Sequence, residues 1–251
     1  MQAGCNEYIL KSGETVAVLP EVVSRLLGIK QEIVKDGGFL LVFLSAKGGT
    51  GTSSLCANFA MTIRNNKPEA SVVVLDLVLP IGSIAPIVGY EGNIDLVSVA
   101  GVPPAETTRE YFHKHLPEID LWKFQLLAGA TDPDGANELN VVRIPEIIRE
   151  LQASFDYVVV DLGCSLSCIS LPIIQKADLL VLTVSTDQNT IANTKTIWEY
   201  LQAQGIDAQN VYAILNRAIG LEGLTKVEAE DIIGLKIKNN DALFGKQLRI
   251  G

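Results

Sequence analysis

Residues 39–54 read Phe39-Leu40-Leu41-Val42-Phe43-Leu44-Ser45, then Ala46-Lys47-Gly48-Gly49-Thr50-Gly51-Thr52-Ser53-Ser54, and the fold turns on this stretch. Phe39–Ser45 is a continuous apolar run of the length expected for a strand buried on both faces. Three glycines follow at Gly48, Gly49 and Gly51, and glycine lets backbone N–H groups turn inward and approach an anion closely. A helix-period segment, Ser53–Ile63, comes next and adds its unpaired N-terminal N–H groups and the positive end of its dipole. Strand, glycine loop and helix together predict a phosphate cradle made by Gly48, Gly49, Thr50, Gly51, Thr52, Ser53 and Ser54. The Ser53 hydroxyl stands where such loops place a magnesium ligand.

Outward from this stretch, Ser71–Leu77, Asp156–Leu162, Asp178–Val184 and Asn210–Asn216 read as further strands, with Asp120–Leu127 a weaker one. Val142–Gln152, Thr190–Gln204 and Leu224–Ile233 read as amphipathic helices. Buried strands alternating with helices predict an α/β fold, a doubly wound and mainly parallel sheet flanked by helices with right-handed crossovers. Two apolar runs end in a carboxylate, Val72-Val73-Val74-Leu75-Asp76 and Val158-Val159-Val160-Asp161. Ligands gather at the carboxyl ends of strands in such a sheet. Asp76 and Asp161 are therefore candidates, with Ser53, for holding Mg²⁺ or its waters, and simple strand-end capping is the other reading. Asn216 ends its strand with an amide that can donate to and accept from a base edge. A turn-forming asparagine explains it equally.

The chain has 251 residues, 48% of them hydrophobic, enough for one large domain or one domain with a small appendage. Cysteines at 5, 56, 164 and 168 form no regular framework, which fits a reducing compartment. No apolar run approaches the roughly 18–20 residues of a membrane span. A net charge of −9 argues against bulk DNA binding, whose affinity rests on cationic contacts to phosphate.

The segment from Lys47 resembles K-G-G-x-G-K-[ST], the deviant Walker A motif of the MinD/ParA superfamily, and the match runs from about Gly38 to about Ile237. The resemblance implies a P-loop NTPase fold of the SIMIBI type, binding ATP or ADP with Mg²⁺. It implies a homodimer across the nucleotide, with Lys47 as the catalytic residue reaching the partner's phosphates. It matches Asp161 to the Walker B aspartate, Asp76 to the first acid of D-x-D, and Asn216, followed by Arg217, to the adenine-binding strand end. Two departures stand out. Thr52 replaces the ordinary P-loop lysine, and Val78 replaces the acid that orients the attacking water, so this chain alone is expected to hydrolyse ATP slowly or not at all.

Gly51-Thr52-Ser53-Ser54 and Phe155–Gly163 are similar to the CpaE/TadZ group, which implies a dimeric localisation scaffold for pilus or secretion-machine assembly. It also implies a cytoplasmic protein recruited to the cell pole or inner membrane face by partners. The alternative is an active ParA/MinD-type ATPase of partitioning or division. Residues 1–36 resemble the last strand and helix of a receiver domain, or else form an ordinary strand–helix extension, with 37–251 the nucleotide-binding domain. The end of the chain, 238–251, lacks a clear basic amphipathic tail, so membrane docking of the MinD kind is not expected. Cys164 and Cys168 are read as packing residues, in preference to ligands of a redox cluster, and Trp122 and Trp198 as core or interface.

Overall fold

Alternation along one strand divides the molecule into two faces. The computed structural model describes residues 4–5, 7–11, 37–218 and 223–237, with the side chains of 4–11, 217–218 and 236–237 outside that description. The N-terminal strands are β1 (Gly4–Cys5) and β2 (Glu7–Lys11), followed by β3 (Phe39–Ser45), α1 (Thr52–Asn66) and β4 (Val72–Asp76). Next come α2 (Ile84–Val88), α3 (Leu96–Gly101), α4 (Arg109–His115), β5 (Glu118–Ile119), β6 (Phe124–Leu127) and α5 (Pro133–Glu138). Then follow α6 (Ile144–Ser154), β7 (Tyr157–Asp161), α7 (Ser170–Lys176), β8 (Leu179–Val184) and α8 (Gln188–Ala203). The last are β9 (Val211–Ala218), α9 (Lys226–Ile233) and β10 (Lys236–Ile237).

An eight-stranded sheet runs in the order β2-β9-β8-β3-β7-β4-β6-β5, all parallel except the β5–β6 pair. Leu40, Val42 and Leu44 point into one core with the residues of α6 and α8, while Leu41 and Phe43 point into the other with α1. Phe43 meets Phe59 of α1 edge to face, 5.3 Å between centroids, an arrangement that favours an aromatic pair beyond its buried area. With both faces covered, β3 is buried along almost its whole length, as its unbroken apolar sequence requires. Its neighbours are β7 on one side and β8 on the other. The chain leaves β3 towards β4, passing over β7, and later returns to lay β8 on the opposite side. That reversal opens a crevice beyond the carboxyl end of β3, where the glycine loop sits.

The N-terminal strand β2 adds in parallel to β9, with Ile9 opposite Asn216. The amphipathic stretch expected at 18–27 and the C-terminal end, 238–251, lie outside the described residues. Expected and observed strands agree to within two residues except near 120. There Glu118–Ile119 and Phe124–Leu127 form a tight antiparallel pair, turned by Lys123 at φ 57°. Leu121, inside the span read as strand, is 86% exposed at the tip. The short helices α2, α3, α5 and α7 were not legible, because five to seven residues are too few to establish a helical period. Trp198 is core and Trp122 packs against Phe124.

The chain enters β3 through Gly38, whose N–H donates to the Gln152 carbonyl at 2.6 Å and whose carbonyl accepts from Gln152 Nε2 at 3.1 Å. A Cβ there would overlap the Phe155 carbonyl. Gly38→Ala is expected to lower unfolding free energy by about 2 kcal/mol or more in urea titration. Gly101→Ala, where a Cβ meets nothing within 4 Å, should stay within about 0.5 kcal/mol.

Candidate functional site

The glycine loop is shaped by hydrogen bonds to its carbonyls. The Lys47 carbonyl accepts the Ser45 hydroxyl at 3.0 Å and the Thr50 hydroxyl at 3.2 Å. The Thr50 carbonyl accepts Asn216 Nδ2 at 2.6 Å. A trans peptide unit holds its C=O and N–H on opposite sides. Drawing these two carbonyls down into the protein therefore turns the Gly48 and Gly51 N–H groups up. From Gly48 to Ser54, no backbone N–H donates to an acceptor among the described residues. These residues line a cavity of about 310 Å³. A Cβ built on Gly48 or Gly49 meets nothing within 4 Å, so both face that open space. Gly49 at φ 81° and Gly51 at φ 83° take a backbone shape that side chains disfavour. A run of unpaired N–H groups at a helix start is a site for an anion of several oxygens.

The strand-end acids lie side by side beneath the loop. Asp76 and Asp161 are register partners across β4 and β7, and both are fully buried. They differ in what they bind. Asp161 Oδ1 accepts the Gly163 N–H at 2.9 Å, while the buried Oδ2 has no hydrogen-bond partner among the described residues. Burial raises the Asp161 carboxyl to about 7, opposed by the nearby Ser53 hydroxyl and assisted by the Asp76 charge. An unpartnered carboxylate oxygen beside a serine hydroxyl suits a divalent cation or its water. The Asp76 carboxylate instead accepts the N–H groups of Val78 at 3.0 Å, Ser83 at 2.6 Å and Ile84 at 2.8 Å. Burial raises its pKa in spite of those bonds. In this structure Asp76 clamps the loop between β4 and α2.

Lys47 extends from the loop to Asp187, 3.6 Å away, with both side chains about half exposed. Asp187 also caps α8 through the Thr190 N–H at 2.9 Å. Burial notwithstanding, contacts from Thr190, Ser185 and Lys47 hold its carboxyl at about 2. A half-exposed ion pair is worth little and yields readily to a better partner. Thr52 turns inward, its hydroxyl 2.9 Å from that of Thr50, and no cation stands where a P-loop lysine would. Val78 lines the cavity with Ser83, Ile87 and Cys164, and its methyls crowd the left-handed Gly163.

The sequence thus located the loop, Ser53, Asp161 and Lys47 in one place. Ser54 lies at the same rim. Asn216 is buried against the loop with its Nδ2 engaged by Thr50 and its Oδ1 unpartnered. Arg217 comes next on β9, its side chain outside the described residues. Cys164 and Cys168 are not packing residues. Both are exposed, because the segment after β7 is a turn and α7 starts only at Ser170. Asp187, Ser83 and Ile87 were missed. Asp187 carries a readable signal, an aspartate three residues before Thr190 at a helix start. Ser83 and Ile87 belong to the short α2 region and carry none.

No protein-family model matches the chain. Among solved structures, a ParA family ATPase from Chlorobium tepidum TLS superposes with a TM-score of 0.74 at 21% identity, covering 82% of this chain and 84% of that one. The fold is that of the ParA and MinD ATPases. The septum site-determining protein MinD with Mg-ADP from Pyrococcus horikoshii OT3 gives 0.63 at 16% identity, over 80% of this chain and 79% of that one. The MinC:MinD cell division complex of Aquifex aeolicus gives 0.60 at 19%, over 80% and 79%. Among the described residues no helix is long and apolar enough to cross a membrane.

The buried Asp161 makes a prediction for the ligand-free protein. Its folded pKa, about 7, lies above the unfolded value, so the native state binds the extra proton. Its contribution is then lost as pH rises through that interval, at a slope approaching about 1 kcal/mol per pH unit. Chemical denaturation between about pH 5 and 8 should show wild type losing stability relative to Asp161→Asn. Parallel profiles would refute the assignment.

Proposed function

We propose that the chain is an ATP- or ADP-binding, nucleotide-switched dimeric scaffold that positions a pilus or secretion machine, with slow or no hydrolysis of its own. The observation that carries the nucleotide part is the unpaired N–H run from Gly48 to Ser54 over an open cavity. In this reading the loop N–H groups hold the phosphates. Ser53 and Asp161 hold Mg²⁺, whose charge offsets that of the phosphate oxygens. Asp76 supports that corner through the loop it clamps. Asn216 steadies the loop through its Nδ2 and is assigned to the adenine edge by the resemblance, with Arg217 next on the same strand.

Two features favour a switch over an engine. The cavity lacks a P-loop lysine, and Val78, an apolar side chain, lines it where a water-orienting acid is wanted. Lys47 is the one lysine or arginine on the cavity wall among the described residues. Released from Asp187, it is long enough to serve the phosphates of a second copy. A nucleotide held between two copies stabilises their association by linkage. The localisation role rests on the resemblance of Gly51–Ser54 and Phe155–Gly163 to the CpaE/TadZ group.

Sedimentation velocity with and without Mg-ATP tests the assembly. Wild type should dimerise with the nucleotide, and Lys47→Ala should remain monomeric. Calorimetry should show Mg-ADP or Mg-ATP binding that Thr52→Lys tightens by about tenfold, a cation restored beside phosphate. Absence of any adenine nucleotide binding would end the reading. Turnover at ordinary ATPase rates by wild type alone would replace it with an active ParA- or MinD-type enzyme.

A further inference from the structure

A second cavity, of about 580 Å³, lies on the far side of the loop that Asp76 clamps. The two cavities share a wall. Ser83 and Ile87 line the phosphate cavity, while Ile81, Ala85 and Pro86, from the same short segment, line the second. That segment is held rigidly. The Ser83 and Ile84 N–H groups are fixed on the Asp76 carboxylate, and the Gly82 N–H donates to the Ala130 carbonyl at 2.8 Å. A Cβ on Gly82 would come within 2.8 Å of Asp76 Oδ2 and 2.9 Å of the Gly129 Cα. With no slack on either side, the wall moves as a unit or not at all.

The lining states what the second cavity accepts. Its apolar lining includes Ile81, Ala85, Pro86, Ala128 and Ala130, and Ile81 is 51% exposed. Its charged lining is acidic: Glu91 and Asp95 contribute, and among the described residues no lysine or arginine does. Asp95 Oδ1 caps α3 through the Ser98 N–H at 2.7 Å, leaving Oδ2 without a partner among the described residues. Neither acid forms an ion pair among those residues. A cavity of this size takes a large side chain or a short stretch of peptide. An exposed apolar contact rimmed by unpaired charge of one sign marks a docking surface for the opposite sign.

We infer that this second cavity is a docking site for a partner protein's segment that presents an aliphatic side chain beside a lysine or arginine. The aliphatic group fills the space between Ile81 and Ala130, and the cation meets Glu91 and Asp95. Occupancy is coupled to the phosphate cavity through the wall from Ile81 to Ile87. This coupling rests on the proposed nucleotide function, and the docking does not.

The probe is a fluorescein-labelled peptide of alternating leucine and lysine, read by fluorescence anisotropy against a leucine–glutamate counterpart. Wild type should bind the lysine peptide, and Ile81→Asp with Glu91→Lys should weaken it by at least about tenfold. Both positions are exposed, and thermal melting verifies that the variant folds. A control with equal net charge change elsewhere, Glu110→Gln, should bind within about twofold of wild type. Equal losses in the two variants, or equal binding of the glutamate peptide, would overturn the docking site. Saturating Mg-ADP or Mg-ATP should shift the wild-type peptide affinity by at least about threefold, and Ile87→Ala should reduce that shift. Peptide binding that persists while nucleotide binds without altering it would overturn the coupling alone. Failure of nucleotide to bind at all would overturn the proposed function and leave the docking result standing.

Discussion

The candidate site depends on where two carbonyl oxygens point. If the Lys47 and Thr50 carbonyls faced the cavity, they would repel an anion. Ser45, Thr50 and Asn216 draw them down instead, and the planar peptide does the rest. The three donors come from the end of β3, the loop itself and β9. Ser45 is also tied to the Gly163 carbonyl at the end of β7, by its hydroxyl at 3.0 Å and its N–H at 2.8 Å. The loop's shape is therefore imposed by three strands of the sheet, and the parallel register that aligns their carboxyl ends is the condition for it.

The same edge explains the division of labour between the two buried acids. They occupy equivalent positions on adjacent strands and would serve as interchangeable carboxylates if only the strand mattered. The path of the chain beyond each strand separates them. After β7, the left-handed Gly163 at φ 58° turns the chain away at once, leaving Asp161 with a buried oxygen that has no partner among the described residues. After β4, the chain folds back over Asp76 and fills both of its oxygens with backbone donors. One acid keeps an oxygen without a hydrogen-bond partner among the described residues, and the other becomes part of the wall.

Much of this was legible in the residue order, and unevenly so. The parallel sheet followed from β-branched apolar runs such as Val72–Leu75 and Val158–Val160, whose length and lack of alternation leave little choice. The loop, Ser53, Asp161 and Lys47 fall at one edge of the sheet because they are fixed to strand ends by spacing along the chain. The duty of Asp76 was not legible, since it depends on N–H groups seven and eight residues later, in a segment too short to show a period. The bond from Asn216 to Thr50 spans 166 positions, and no local pattern encodes it. The two exposed cysteines were misplaced for a related reason: cysteine chemistry gives burial as the default, and only the path of the turn after β7 reverses it.

The far rim of the sheet carries a last consequence. It closes on β5, two residues long and antiparallel, with Lys123 forcing a tight reversal just beyond it. So brief a margin offers a passing chain almost no template for extension into fibrils. Two residues and one unusual torsion angle supply that protection on this side of the sheet.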